Sequence, residues 1–255
     1  MSTRHSFANG PSVGLLLAVL LGQQLACARK PSPNPAEHAQ IVEWQLMVSA
    51  ARSESALSAL RERANAGNVD AESALGQALC QQSDSSLAKE GLAWLRRAAQ
   101  ANDARAQLAL GKLELSGEGV VPRDYAAASS HLLAAAEQGE ARASYYLGVM
   151  ARNGYGTPED HAAAARYLGV AAAHGIPQAM FLLANAYREG DGVPKNEPRA
   201  LDLYEKAGEL DHPGSIQALA MAYQNGELGL ARDPNRFQSE LAELAHAQKH
   251  PPSLP

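Results

Sequence analysis

From about residue 36 onward, apolar residues recur at intervals of three and four, the spacing that lines one face of an α-helix. The pattern then repeats as a block. Five segments align on a Leu-Gly or Leu-Ala pair: Leu75-Gly76, Leu110-Gly111, Leu147-Gly148, Leu183-Ala184 and Leu219-Ala220, with successive offsets of 35, 37, 36 and 36 residues. Five positions before the second residue of each pair (the anchor) stands a small residue: Ala71, Ala106, Ala143, Ala179 or Ser215. Six positions after it, the last four units carry Gly117, Gly154, Gly190 and Gly226. A fixed period of this length predicts stacked helical hairpins. The small residues let a neighbouring helix approach, and the later glycine suits the left-handed turn that ends a helix.

The second stretch of each unit is rich in alanine, as in Tyr125–Ala136, His161–Ala172 and Pro198–Ala207. A second glycine follows the first, and Pro122, Pro158, Pro194 and Pro234 restart the chain. No hairpin of this composition buries its apolar face alone, so the stack is the folding unit. Unit one departs from the pattern: Gln82 replaces the glycine, and Ser83-Asp84-Ser85-Ser86 replaces the glycine loop. Residues 36–66 read as a degenerate capping hairpin, Glu37–Ala51 and Ser53–Ala66, with Trp44 and Leu46 covering the end of the core. The repeats fill 67–246, closing on Pro234–His246, and 247–255 is expected to be a disordered tail. The expected fold is therefore all-α, a right-handed α-solenoid of about five helical hairpins plus the N-terminal cap.

Two runs carry a family resemblance. One is Ala134-Ala135-Ala136-Glu137-Gln138-Gly139 leading into Ala143, Tyr145, Leu147-Gly148-Val149-Met150 and Asn153-Gly154. The other is Ala179 to Tyr187 followed by Gly190-Asp191-Gly192-Val193-Pro194-Lys195. Both resemble the Sel1-like repeat, a relative of the tetratricopeptide repeat, over about residues 64–246.

The N-terminus reads differently. After Arg4, an apolar run from Val13 to Leu21 is too short to span a bilayer, which needs about twenty residues. It reads as a secretory signal over residues 1–27. Two endings fit it. Gln24-Leu25-Ala26-Cys27 resembles a bacterial lipobox, which would lipidate Cys27, although Gln24 departs from the apolar residue usual there. Ala26-Cys27-Ala28 fits an ordinary signal-peptidase site, which would leave a soluble periplasmic protein. Residues 28–35, with Pro31, Pro33 and Pro35, read as an extended tether. In lipoproteins of this type, a residue other than Asp after the cysteine implies the outer membrane, and Ala28 fits that. Beyond residue 27, 21 Lys/Arg face 27 Asp/Glu, a net charge of −6 that argues against nucleic acid as a partner. Cys80 is the one cysteine in that portion, so packing rather than disulfides must hold the fold.

Candidate chemistry is sparse. There is no His-Glu pair of zinc-protease type, no phosphate-binding glycine loop followed by lysine, and no serine elbow. His131 shares its slot with Trp94 and Tyr167, which makes it a packing residue, and His161, His174 and His212 fall near helix ends, where surface placement is expected. Cys80 has no neighbour that would activate it. Cysteine-rich Sel1-like proteins, some described as penicillin-binding or hydrolysing, carry a disulfide in each repeat, and this chain lacks those pairs. No cofactor or metal is expected, and no enzyme activity.

A binding face can be read from the register. With the anchor at zero and 100° per residue, offsets −6, −3, +1, +4 and +5 oppose the packed side of the first helix. In related repeats, such positions line a concave surface. They give Arg105, Leu108, Lys112, Leu115 and Ser116 in unit two, and Arg142, Tyr145, Val149, Arg152 and Asn153 in unit three. Units four and five give Gln178, Phe181, Asn185, Arg188 and Glu189, then Gly214, Gln217, Met221, Gln224 and Asn225. Units two to four thus set five cations against one acid, with Glu118, Glu137, Glu140, Glu159, Asp160, Asp202 and Glu205 expected elsewhere. Arginine interleaved with aromatic residues is the composition of protein-binding hot spots. The expected partner is another protein with an acidic contact surface, and the only expected membrane contact is a lipid anchor. The resemblance implies three roles: immunity protein against a type VI secretion toxin such as a phospholipase, periplasmic regulator of a sensor kinase, or scaffold for polysaccharide export. An enzyme acting on cell-wall material or β-lactams, or a binder of acidic sugars, is the reading from another class.

Overall fold

The computed structural model describes residues 34–249. Those residues form twelve α-helices and no strand, arranged as six hairpins. The cap is α1 (Pro35–Ala51) and α2 (Glu54–Asn65). The five repeat units are α3 (Val69–Cys80) with α4 (Ser85–Gln100), α5 (Ala104–Ser116) with α6 (Tyr125–Glu137), α7 (Ala141–Asn153) with α8 (His161–Ala173), α9 (Pro177–Glu189) with α10 (Glu197–Gly208), and α11 (Pro213–Asn225) with α12 (Pro234–Lys249). The anticipated α-solenoid is what forms. The signal segment, Cys27 and residues 28–33 of the tether lie outside the described residues.

Local chemistry sets the helix ends. Asn68, Asp84, Asp103, Asp124, Asp160 and Asn196 each stand before a helix and accept a hydrogen bond from its first turn, satisfying backbone N–H groups that have no partner within the helix. Gly117, Gly154, Gly190 and Gly226 close α5, α7, α9 and α11 in the left-handed conformation, at φ between 65° and 78°. A side chain at those positions would be strained.

The anchor works by contact. A Cβ added to Gly111 would stand 2.6 Å from Leu132 Cγ, and one added to Gly148 would stand 2.8 Å from Leu168 Cγ. The anchor glycine is therefore the socket for a leucine of the second helix. The socketed residues, Leu95, Leu132 and Leu168, are fully buried or nearly so, and Tyr204 fills the same slot in unit four, opposite Ala184. In unit five the slot is Glu240, opposite Ala220 and also buried. Burial raises the carboxyl pKa of Glu240, and the charges of Glu243 and Glu205 add to the rise while Arg236 opposes it.

Two details of the ends differ from expectation. Trp44 packs on the cap core with Ile41, Val48 and Leu60, but Leu46 is 63 % exposed, because it lies on the outer side of α1. At the other end, α12 continues through Lys249 rather than stopping at His246, and Ala247 is fully buried. The helix runs on because a further apolar residue remains to be covered.

Candidate functional site

The first helices of successive hairpins share one side of the stack. From α1 across α3 and α5 to α7 they enclose a groove of about 930 Å³. Arg105, Lys112, Leu115 and Ser116 of α5 line it at the offsets read for unit two, and Gln77, Cys80 and Gln81 of α3 line it from unit one, for which no face was read from the sequence. Arg142 brings it to α7.

Several lining residues were not anticipated. His38, Val42 and Gln45 come from α1, read from sequence only as part of a cap; it has no anchor, so no offset could be assigned there. Ala109 and Tyr146 both stand at offset −2, one step outside the face chosen, and Glu118 to Val121 come from the loop after α5. The recurrence of Ala109 and Tyr146 at one offset is a signal that a wider arc would have caught.

The groove's cations are held in place. Arg105 Nη2 donates to Asp70 Oδ1 at 2.6 Å and lies 3.6 Å from Asp103 Oδ2, while His38 Nδ1 is 3.0 Å from Asp70 Oδ2. One carboxylate thus ties α1, α3 and α5 together. Arg142 Nε donates to Glu140 Oε1 at 3.1 Å. Lys112 Nζ sits 5.3 Å from the centre of the Tyr146 ring, a cation–π contact. Burial and the nearby Arg142 charge lower the Lys112 pKa, with Glu118 opposing. Burial pushes the Tyr146 hydroxyl up to about 12. Two of the acids expected elsewhere, Glu118 and Glu140, are therefore beside the cations, because loop and N-cap residues fold back over the helix ends.

The rest of the predicted stripe does not join this groove. Leu108 borders it but is only 4 % exposed and belongs to the core with Leu147 and Met150, since the solenoid's curvature brings α7 over it. Tyr145 packs edge-on to Tyr146 at 5.1 Å and on the core that holds Met180 and Leu183, and Val149 is half-buried. Phe181 lies against Tyr204 at 6.0 Å and His212 at 4.9 Å, and Asn185 accepts a hydrogen bond from the Tyr204 hydroxyl at 2.5 Å. Arg152 and Asn185 border a separate recess of about 10 Å³, at or below the size that holds one water. Arg188 pairs with its neighbour Glu189 at 2.9 Å. Gln217 and Met221 are exposed on α11, away from the groove residues.

The histidines bond individually. His131 Nδ1 meets Glu114 Oε2 at 2.7 Å, His161 sits between Asp191 at 2.9 Å and Glu159 at 3.4 Å, and His174 is exposed. His212 is not a surface residue as expected: it is half-buried, accepts the Ser215 N–H as the N-cap of α11, and its pKa is lowered by burial. Among the described residues no group of three or more His, Cys, Asp and Glu side chains could hold a metal ion. Burial raises the Cys80 thiol to about 11, which keeps it in the unreactive protonated form.

Comparison with known proteins gives concordant results. The Sel1 repeat family matches residues 69–103, 104–140, 141–176, 177–212 and 215–236. A Sel1 repeat protein from Oxalobacter formigenes superposes with a TM-score of 0.73 at 25% identity, covering 84% of this chain and 88% of that one. The protective antigen c5321 of uropathogenic Escherichia coli, described as having an SLR fold, gives 0.57 at 22% identity, with 85% and 55% covered. The immunity protein Pa5087 of Pseudomonas aeruginosa gives 0.55 at 14% identity, with 88% and 86% covered, a likeness of fold. No curated protein matches by sequence.

Proposed function

Since the chain belongs to the Sel1 repeat family, we propose that it is a non-catalytic protein-binding solenoid whose partner docks in the groove between α1 and α7. The observation that carries this is the groove itself. It is large, it places Arg105, Lys112, Arg142 and Tyr146 along one stretch, and the one thiol in it is held inert. Half-buried cations beside an aromatic ring are the make-up of a binding hot spot, and their sign favours an acidic contact surface on the partner.

Our specific reading is an immunity protein that neutralises a toxin delivered by a type VI secretion system, such as a phospholipase, by occupying it with this groove. Its support is the sizeable groove between α1 and α7, able to seat one dedicated partner. The fold is also one that an immunity protein adopts, as Pa5087 illustrates. We further propose export by the segment 1–27 and anchoring to the outer membrane through Cys27, motivated by the apolar run Val13–Leu21 and the proline-rich stretch after it. Intact mass of the mature protein tests the anchor: a mass without acyl chains sinks it.

The role is tested by a pull-down from the cell envelope, comparing wild type with Lys112→Glu/Arg142→Glu. One protein recovered with wild type and lost with the variant is the expected result. Equal recovery would move the binding surface off the groove. A toxin as the recovered protein supports the immunity role, whereas a sensor kinase or a polysaccharide-export component replaces it.

A further inference from the structure

The second helix of the last unit is held differently from those before it. Among the described residues, α4, α6, α8 and α10 each pack between two first helices, whereas α12 packs on α11 and has no further unit beyond it. The buried residues of α6 are Ala128, Leu132 and Ala135; those of α12 are Glu240 and Ala247. Alanine is thus the one apolar side chain that α12 buries fully, and a carboxyl takes the central slot that leucine fills in units one to three. Phe237 and Leu244, on the same face of α12, are half-buried. A helix with so little apolar burial lies at the low end of local stability within a fold.

The groups around Glu240 make its hold sensitive to pH. On its own helix Glu243 and Arg236 act on it, and from α10 Glu205 does. The one titratable side chain of α11 is Tyr223, whose ring has Arg236 over it at 5.9 Å. Asp233 is engaged as the cap of α12, accepting the N–H groups of Asn235 and Arg236. Two acids against one arginine, in a slot largely closed to water, favour the protonated carboxyl. An ionised Glu240 recovers its hydration by leaving the slot. The first helix of the unit has its own hold on the stack: Leu219 and Ala222 of α11 share a core with Ala200 and Tyr204 of α10.

We propose that α12 is a pH-sensitive end cap, closed over α11 while Glu240 keeps its proton and opening from it, with the rest of the stack intact, when Glu240 ionises. The closed form binds that proton more tightly than the open one. Closure is therefore fully favoured below the ordinary carboxyl range and weakens as pH rises through the raised folded value. The device involves neither the groove nor its partner, and it goes beyond the role proposed above without resting on it.

The test is amide hydrogen exchange on the full-length protein from about pH 4 to about pH 7, with each rate divided by that of an unstructured chain at the same pH. Protection of α12 should fall severalfold across this range while that of α8 stays constant. Glu240→Gln, which cannot ionise, should keep α12 equally protected at both ends of the range. Glu240→Leu, which restores the leucine of the earlier units, should do the same and carries the test if α12 of the glutamine variant is unprotected throughout. Protection of α12 that is independent of pH in the wild type overturns the proposal. So does a fall that α8 shares, which would be loss of the whole stack, or a fall that persists in both variants.

Discussion

Three residues before the anchor, unit one carries Ser73 and unit four carries Phe181. Ser73 is fully buried and accepts a hydrogen bond from Gln77 at 3.2 Å, and Gln77 lines the groove. Phe181 reaches across to Tyr204 and His212 and fills the corresponding space. One position further on, Ala109 of unit two and Leu182 of unit four differ in the same sense, Ala109 bordering the groove and Leu182 the small recess. The backbone register is common to both halves. Side-chain volume at these two offsets thus differs between the units compared, one bordering the groove and the other the small recess. The N-terminal units hold a groove, whereas the C-terminal units spend the equivalent positions on packing.

The largest expected effect comes from emptying the filled half. Tyr204 is fully buried, so Tyr204→Ala should lower the free energy of unfolding by about 3–5 kcal/mol in urea denaturation. A loss below about 1 kcal/mol would mean that aromatic filling is not what holds the C-terminal units. Next is charge reversal in the open half. Lys112→Glu with Arg142→Glu should weaken partner binding about a hundredfold, close to 3 kcal/mol, while the melting temperature stays near that of wild type. Unchanged affinity by titration calorimetry would detach the groove from binding.

A subtler change converts one half toward the other. Ala109→Tyr places in unit two the residue that unit three already has at that offset, Tyr146, and should narrow the groove. About a tenfold loss of affinity is expected, roughly 1.4 kcal/mol, without loss of stability. Tight binding retained by this variant would show that the open volume is not used.

The smallest effect concerns the last unit. Leu95, Leu132 and Leu168 fill the anchor socket in units one to three, whereas unit five has Glu240, whose folded-state pKa is raised. The native state thus keeps the Glu240 proton to higher pH than the unfolded chain does. Its contribution to stability is present below the ordinary carboxyl range and is lost as pH rises through the raised folded value. Glu240→Leu should therefore stabilise the protein by on the order of 1 kcal/mol near neutral pH, with the gain shrinking as pH falls below the ordinary carboxyl pKa. A gain that is constant with pH would point to packing alone rather than the carboxyl's titration.

Much of this protein is legible in its amino-acid sequence alone. The pairs Leu110-Gly111 and Leu147-Gly148 announce a socketed helix contact, because a Cβ at either glycine would press within 2.8 Å of the socketed leucine. Gly117, Gly154, Gly190 and Gly226 announce the helix ends for a similarly local reason, the left-handed backbone. The wheel offsets also name Arg105, Lys112 and Arg142, which line the groove. What the wheel cannot see is the neighbour. Leu108 obeys the same offset as Tyr145 and Phe181, yet it is buried under the next unit, and Arg188 finds Glu189 instead of an open face.

The sequence by itself determined the repeat, its hairpins, its caps and the side of each first helix that turns away from the core. These are properties of one helix turn or one helix pair, set by 3.6-residue periodicity, small residues and glycine dihedrals. Only the tertiary structure decided where the concave side is open, that α1 and the loop after α5 supply part of its wall, and that Asp70 comes to stand beside Arg105. Those outcomes depend on distances between residues of different units, many of them far apart in sequence. Such distances follow from the packed volumes and curvature of the whole stack, which no single turn encodes.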